Sequence, residues 1–154
     1  MAIRNIVKEG DPVLTKVCRP VEKFDEKLHA LLDDMYETMT DGEGVGLAAP
    51  QVGILRRIFV IDIGEGKIEC INPKIVKTSG VQETSEGCLS CPGEFAVTRR
   101  PMYVTVKAQN RYGDQFTINA EGLLAKALCH ENDHLDGILF KEHVIRKIKP
   151  GEKI

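Results

Sequence analysis

The feature that most restricts this chain is His130-Glu131-Asn132-Asp133-His134, two histidines four residues apart with a glutamate after the first. On a helix, positions i and i+4 sit roughly 40° apart on one face, so both imidazoles can reach a single ion. Glu131 projects beside them, where it can take a proton from water without ligating the ion. The motif lies in a segment that reads as an amphipathic helix over residues 122–136. Leu123, Leu124, Ala127 and Leu128 lie in its interior, and Gly137 is a natural C′ residue. Apolar neighbours of that kind favour a buried histidine pair over a solvated helix face.

Two histidines do not complete a catalytic metal site, which typically has three protein ligands and one open position. One large protease group extends the motif to H-E-x-x-H-x-x-G-x-x-H. Here Gly137 falls in place, but Phe140 occupies the last position and cannot ligate. Glu142 and Glu152 follow without motif context, and His143 lies in a charged stretch that reads as surface. The third ligand is therefore expected upstream. Cys88, in Glu86-Gly87-Cys88-Leu89-Ser90, stands out, because a thiolate is a strong ligand for zinc or iron(II) and the preceding glycine permits close backbone approach.

Cys91 keeps a second arrangement open. Cys88-x-x-Cys91 can be half of a structural zinc site, and with His130 and His134 it makes a closed four-ligand set. It can also be a redox pair, although such a motif should open a helix and Pro92-Gly93 argues for a loop. Cys18, Cys70 and Cys129 lack such context and read as buried small apolar residues.

A glycine-rich stretch, Gly44-Val45-Gly46-Leu47-Ala48-Ala49-Pro50-Gln51, is the second unusual segment. Its small residues let the backbone approach a peptide closely. It is not a phosphate loop, since the Lys-Ser/Thr pair and the G-x-G-x-x-G spacing after a strand are both missing. Gln51 can donate an amide hydrogen bond to a developing oxyanion.

Elsewhere the pattern is that of an α+β domain with antiparallel sheets packed around the H-E-x-x-H helix. A first helix is expected over residues 25–40. Leu28, Leu31, Leu32, Met35, Tyr36 and Met39 form one face, Asp25 is the N-cap, and Asp41-Gly42-Glu43-Gly44 breaks the pattern. Strands are expected over 57–63, 68–76 (interrupted by Asn72-Pro73), 102–108 and 115–118, with Arg111-Tyr112-Gly113-Asp114 as a hairpin turn. At 154 residues, with no repeat or linker, the chain reads as one domain over 1–154.

A net charge of −2 argues against nucleic-acid recognition as a primary task. The start, MAIRNIVKEG, does not look like a signal or transit peptide, and no apolar run nears the roughly 20 residues that cross a bilayer. The expectation is a cytoplasmic protein without membrane association, its five cysteines reduced.

Taken together and in order, the three stretches at 44–51, 86–90 and 130–134 resemble the peptide deformylase family. That family carries G-x-G-x-A-A-x-Q, E-G-C-x-S and Q-H-E-x-D-H segments. Asp11-Pro12-Val13-Leu14 and His134-Leu135-Asp136-Gly137 fit as well, so the likeness spans about residues 6–143. Cys129, where the family usually has glutamine, and Cys91, where an aliphatic residue is common, are departures. The resemblance implies a metal-dependent hydrolase that removes the formyl group from N-formylmethionyl nascent polypeptides and releases formate. It implies Cys88, His130 and His134 as ligands of one divalent ion, typically iron(II), although such a set also accepts zinc, nickel or cobalt. It further implies Glu131 as general base and then general acid, with Gln51 and the backbone N–H of Leu89 stabilising the oxyanion. Val45 and Gly46 would line the cleft, and Leu123 and Ala127 a pocket for the methionine side chain. A metallopeptidase acting on internal amides is the competing enzyme reading, disfavoured by the missing third histidine. Some family members dock on the ribosome through a C-terminal helix. Here Pro150-Gly151 cuts the basic stretch 141–154 short, and a solvated tail is the favoured expectation over ribosome contact.

Overall fold

In the computed structural model, which describes residues 2–148, two α-helices and eight strands form among the described residues, with three short 3-10 helices. The Asp25 side chain accepts a hydrogen bond from the Leu28 N–H at 3.1 Å and so starts helix α1, Glu26–Asp41. The strands are β1 (Gly46–Ala48), β2 (Ile58–Ile61), β3 (Ile68–Ser79), β4 (Gln82–Cys88), β5 (Cys91–Arg100), β6 (Tyr103–Gln109) and β7 (Gln115–Glu121). Helix α2, Gly122–Leu135, and β8, Val144–Lys147, follow. All strand pairings are antiparallel: β1-β2-β3-β6-β7 make a five-stranded sheet and β4-β5-β8 a three-stranded one. This is the expected α+β class.

Strand β2 is buried at all four positions because a helix covers each face of its sheet. Phe59 and Ile61 join the core under α2 with Val104, Val106, Leu128 and Leu135. Ile58 and Val60 turn the other way, onto Leu28, Leu32, Met35 and Met39 of α1. The apolar period of α1 therefore meets the two-residue alternation of the sheet, and each fully buried side chain contributes about 1.5–3 kcal/mol. Cys18, Cys70 and Cys129 are buried in the α2 core as small apolar residues.

Three sequence expectations change. Asn72-Pro73 does not interrupt β3, which runs to Ser79. Asn72 instead takes a positive φ of 51° at a register shift, its side chain bonded to Val21 N and O and to Gln109. Pro92-Gly93 lies in a strand rather than a loop, with Gly93 at φ 75°. Cys88 and Cys91 thus close a two-residue turn between β4 and β5. The basic stretch is not a free tail where it is described. Residues 144–147 pair with β5 as an edge strand, and Lys141 bridges Glu9 and Glu94 at 2.7 and 3.1 Å. Lys149 and Lys153 lie outside the described residues.

At the end of α2, Gly137 has φ 75°, and a Cβ there would meet the Thr15 carbonyl at 2.6 Å. Both backbone conformation and space demand glycine. The N-terminal segment ties the site region together: Val7 N–H donates to Gln51 O at 2.7 Å and Glu9 N–H to Ser90 O at 2.9 Å.

Candidate active site

Helix α2 turns His130, Glu131 and His134 inward, leaving them only 7%, 4% and 1% exposed. The end of β4 brings Cys88 against them, with its Sγ 3.4 Å from His134 Nε2. One ligand atom from each of Cys88, His130 and His134 lies within 4.8 Å of the other two, close enough to share one ion. Cys91 Sγ is outside this group and gathers with Glu9 and Glu94 instead. The closed four-ligand set weighed from sequence is therefore not formed. Burial pushes the Cys91 thiol up to about 12 and the His134 imidazole down to about 3. The residues fit a metal ion on the chemistry of this donor set, a soft sulfur and two imidazoles converging at one spot.

Glu131 leans into the same space, its Oε2 3.9 Å from His130 Nε2. Its Oε1 is buried without a hydrogen-bond partner, so that oxygen is free for chemistry. Burial, opposed by His130, pushes its carboxyl up to about 7, near the range where one group can both accept and return a proton. Gly46 makes room for it, since a Cβ built there would collide with the Glu131 carboxylate.

These groups open onto a cavity of about 530 Å³. Gln51, Cys88, Leu89, His130 and Glu131 line its floor, while His134 stands behind. Val45, Gly46, Leu123 and Ala127 also line it, and Leu123, Val45 and Phe95 are each nearly half exposed at its rim. Leu123 is thus a wall residue of the cavity rather than part of the helix interior. Gln51 is buried and oriented: its Oε1 accepts from Ala48 N–H at 2.9 Å, and its Nε2 donates to Cys88 Sγ (3.4 Å) and Ser90 Oγ (3.1 Å).

Sequence reasoning gave no role to Glu86, which is 6% exposed. His130 Nδ1–H donates to Glu86 Oε2 at 2.5 Å, which turns Nε2 toward Cys88 and His134. Burial raises the Glu86 carboxyl, but hydrogen bonds from His130 and Arg100 overcome this and hold it well below the usual carboxylate range. A signal for it exists, because metal-binding histidines usually donate their other N–H to a carboxylate and Glu86 stands beside the sulfur ligand. Arg100 and Asp133, which complete this cluster, carry no such signal. His143 lies 3.0 Å from Asp133, and Phe140 packs near the His130 ring with 6.1 Å between centroids.

The family model for polypeptide deformylase matches residues 3–150. The chain belongs to the polypeptide deformylase family. A peptide deformylase of Clostridium botulinum is 56% identical over 147 residues, covering 96% of this chain and 100% of its own. The crystal structure of a peptide deformylase from Legionella pneumophila superposes with a TM-score of 0.90 at 47% identity, over 97% of this chain and 88% of that one. A peptide deformylase of Synechococcus elongatus, crystallised in complex with actinonin, gives 0.90 at 39% identity over 92% and 78%. Membership of the deformylase family makes the chain a hydrolase enzyme of protein synthesis. No helix among the described residues is long and apolar enough to cross a membrane.

Proposed function

We propose that the chain is a single catalytic domain that hydrolyses the formyl amide of N-formylmethionyl nascent polypeptides, releasing formate, with one divalent ion held by Cys88, His130 and His134. The observation that carries this reading is the convergence of those three donor atoms within 4.8 Å of one another, two of their residues lining the cavity together with Glu131, whose Oε1 is unpartnered. When bound, the ion supplies the positive charge that makes water nucleophilic at neutral pH. Iron(II) is the metal this family typically uses, and the donor set equally suits zinc, nickel or cobalt.

The chain's own residues divide the remaining work. Glu131 takes the proton of the attacking water and returns it to the departing amine, its Oε1 having no other hydrogen-bond partner. The Leu89 backbone N–H and the Gln51 amide donate to the developing oxyanion, Gln51 Nε2 giving it the N–H that otherwise rests on Cys88 Sγ. Gln51 is held for this by Ala48 N–H on one side and Ser90 on the other. Val45 and Gly46, at the start of β1, offer main-chain groups to a peptide lying as an added strand. Leu123 and Ala127 form the apolar wall for the methionine side chain, and the half-exposed Phe95 at the rim supports that assignment. Actinonin, found with the Synechococcus relative, is expected to occupy the same cavity.

We place this activity in the cytoplasm, where formylated chains emerge. Contact with the ribosome would rest on the basic stretch 141–154, in which Lys141 is engaged by Glu9 and Glu94. Cosedimentation at physiological salt tests that part. The central test is anaerobic purification, metal analysis and formate release from a short formyl-Met peptide by the chain and by Glu131→Gln. The variant is expected to keep its metal and lose formate release. A variant that still releases formate at the parent rate removes Glu131 from the chemistry.

A further inference from the structure

We propose that Arg100 is a positioning residue for His130, acting through Glu86; this rests on the reading of Cys88, His130 and His134 as a metal site. Arg100 is only 3% exposed, and a buried guanidinium persists only where excellent geometry offsets the loss of its hydration. Here all three faces of its fork are used. Nε donates to Glu86 Oε1 at 3.0 Å, Nη2 to Glu86 Oε2 at 2.7 Å, and Nη1 to Asp133 Oδ2 at 2.6 Å. The two parallel bonds to Glu86 fix the plane of its carboxylate, and Thr98 Oγ1 adds a third at 2.8 Å.

That fixed carboxylate is the acceptor for His130 Nδ1–H. Its plane and position therefore set the tautomer and tilt of the imidazole, and so the direction in which Nε2 presents its lone pair toward Cys88 and His134. The third arm reaches Asp133, three residues after His130 on α2. Arg100, at the end of β5, thus locks the acid on β4 and the histidine helix to each other at one point. Lysine would keep the charge but not the fork, since an ammonium is a point donor without planar geometry.

The experiment uses zinc-loaded full chain challenged with a chelating dye, giving the zinc dissociation constant, together with the visible spectrum of the cobalt(II)-substituted protein. The chains compared are the parent, Arg100→Lys, Glu86→Gln and the double variant. Each single variant is expected to fold, to hold zinc about 10–100-fold more weakly and to shift the cobalt bands. The double variant is expected to lose little beyond the weaker single one, because both changes act through the same imidazole. A folded Arg100→Lys with zinc affinity within about twofold of the parent and an unchanged cobalt spectrum overturns the proposal. So do fully additive losses, and so does an Arg100→Lys chain that cannot fold, which would assign Arg100 to stability alone. A parent chain that binds neither zinc nor cobalt would instead sink the metal-site reading itself.

Discussion

Replacing Gly46 with alanine should separate catalysis from folding. A Cβ at Gly46 would stand 2.9 Å from Glu131 Cδ and 3.0 Å from Cγ, and closer still to Oε2. Ordinary carbon contacts begin near 3.5 Å, so the carboxyl carbon must withdraw by about half an ångström and its oxygen by more. Gly46 does not have a left-handed φ, so the backbone itself accepts alanine. The obstructed group is the end of a side chain, which puts the stability cost at the low end of overpacking, about 1 kcal/mol. The cost to chemistry is larger, because a catalytic group displaced by about 1 Å loses on the order of 100-fold in rate, or about 2.7 kcal/mol. The expected result is a folded protein with its metal retained and kcat for formate release lowered about 100-fold, read alongside a thermal melt and metal content. An alanine variant with kcat within about threefold of the parent would refute the claim that Gly46 exists to seat Glu131.

Other changes probe the remaining parts. Gln51→Ala is expected to lower kcat about 10²–10³-fold, and to cost about 1–3 kcal/mol of stability because Ala48 N–H loses its acceptor, so rates are compared per folded molecule. Cys91→Ala should keep its metal while Cys88→Ala loses it, since only Cys88 reaches the histidines; equal loss in metal analysis would contradict this. Asp34, on α1, accepts from Ala2 N–H and Arg4, and the Ala2 bond first, then Arg4, hold its carboxyl below the ordinary 3.8. A depressed acid contributes stability above its unfolded value and loses it as pH falls through the folded one. Thermal melts of parent and Asp34→Asn should therefore differ at pH 6 and converge well below pH 3.8; a gap unchanged by pH would contradict the assignment.

The helices were legible because their signals are local. The spacing of Leu28, Leu32, Met35 and Met39, the cap at Asp25 and the glycine at 137 each act within a few residues, and α1 and α2 form where they indicate. The strand pair β4–β5 was not legible. Glu83, Glu86, Glu94 and Arg99 are mixed with Gly87 and Gly93, so no clean alternation marks it, and its sheet stays partly open to solvent. Leu123 reads as interior by periodicity yet is 49% exposed, because the cavity lies where a packing partner would.

By itself the sequence determined which atoms can do the chemistry: a helical histidine pair with its glutamate, a sulfur in a glycine-flanked turn, and a small-residue stretch ending in Gln51. Those follow from residue type and from helix geometry, which repeats over a few positions. Only the tertiary structure decided that Cys88 rather than Cys91 faces the histidines. It alone brought the buried Glu86 and Arg100 and the half-buried Asp133 into one cluster behind His130. Those outcomes depend on how two sheets and a helix settle against one another, with contacts between residues 33 and 44 positions apart, and no local pattern encodes such distances.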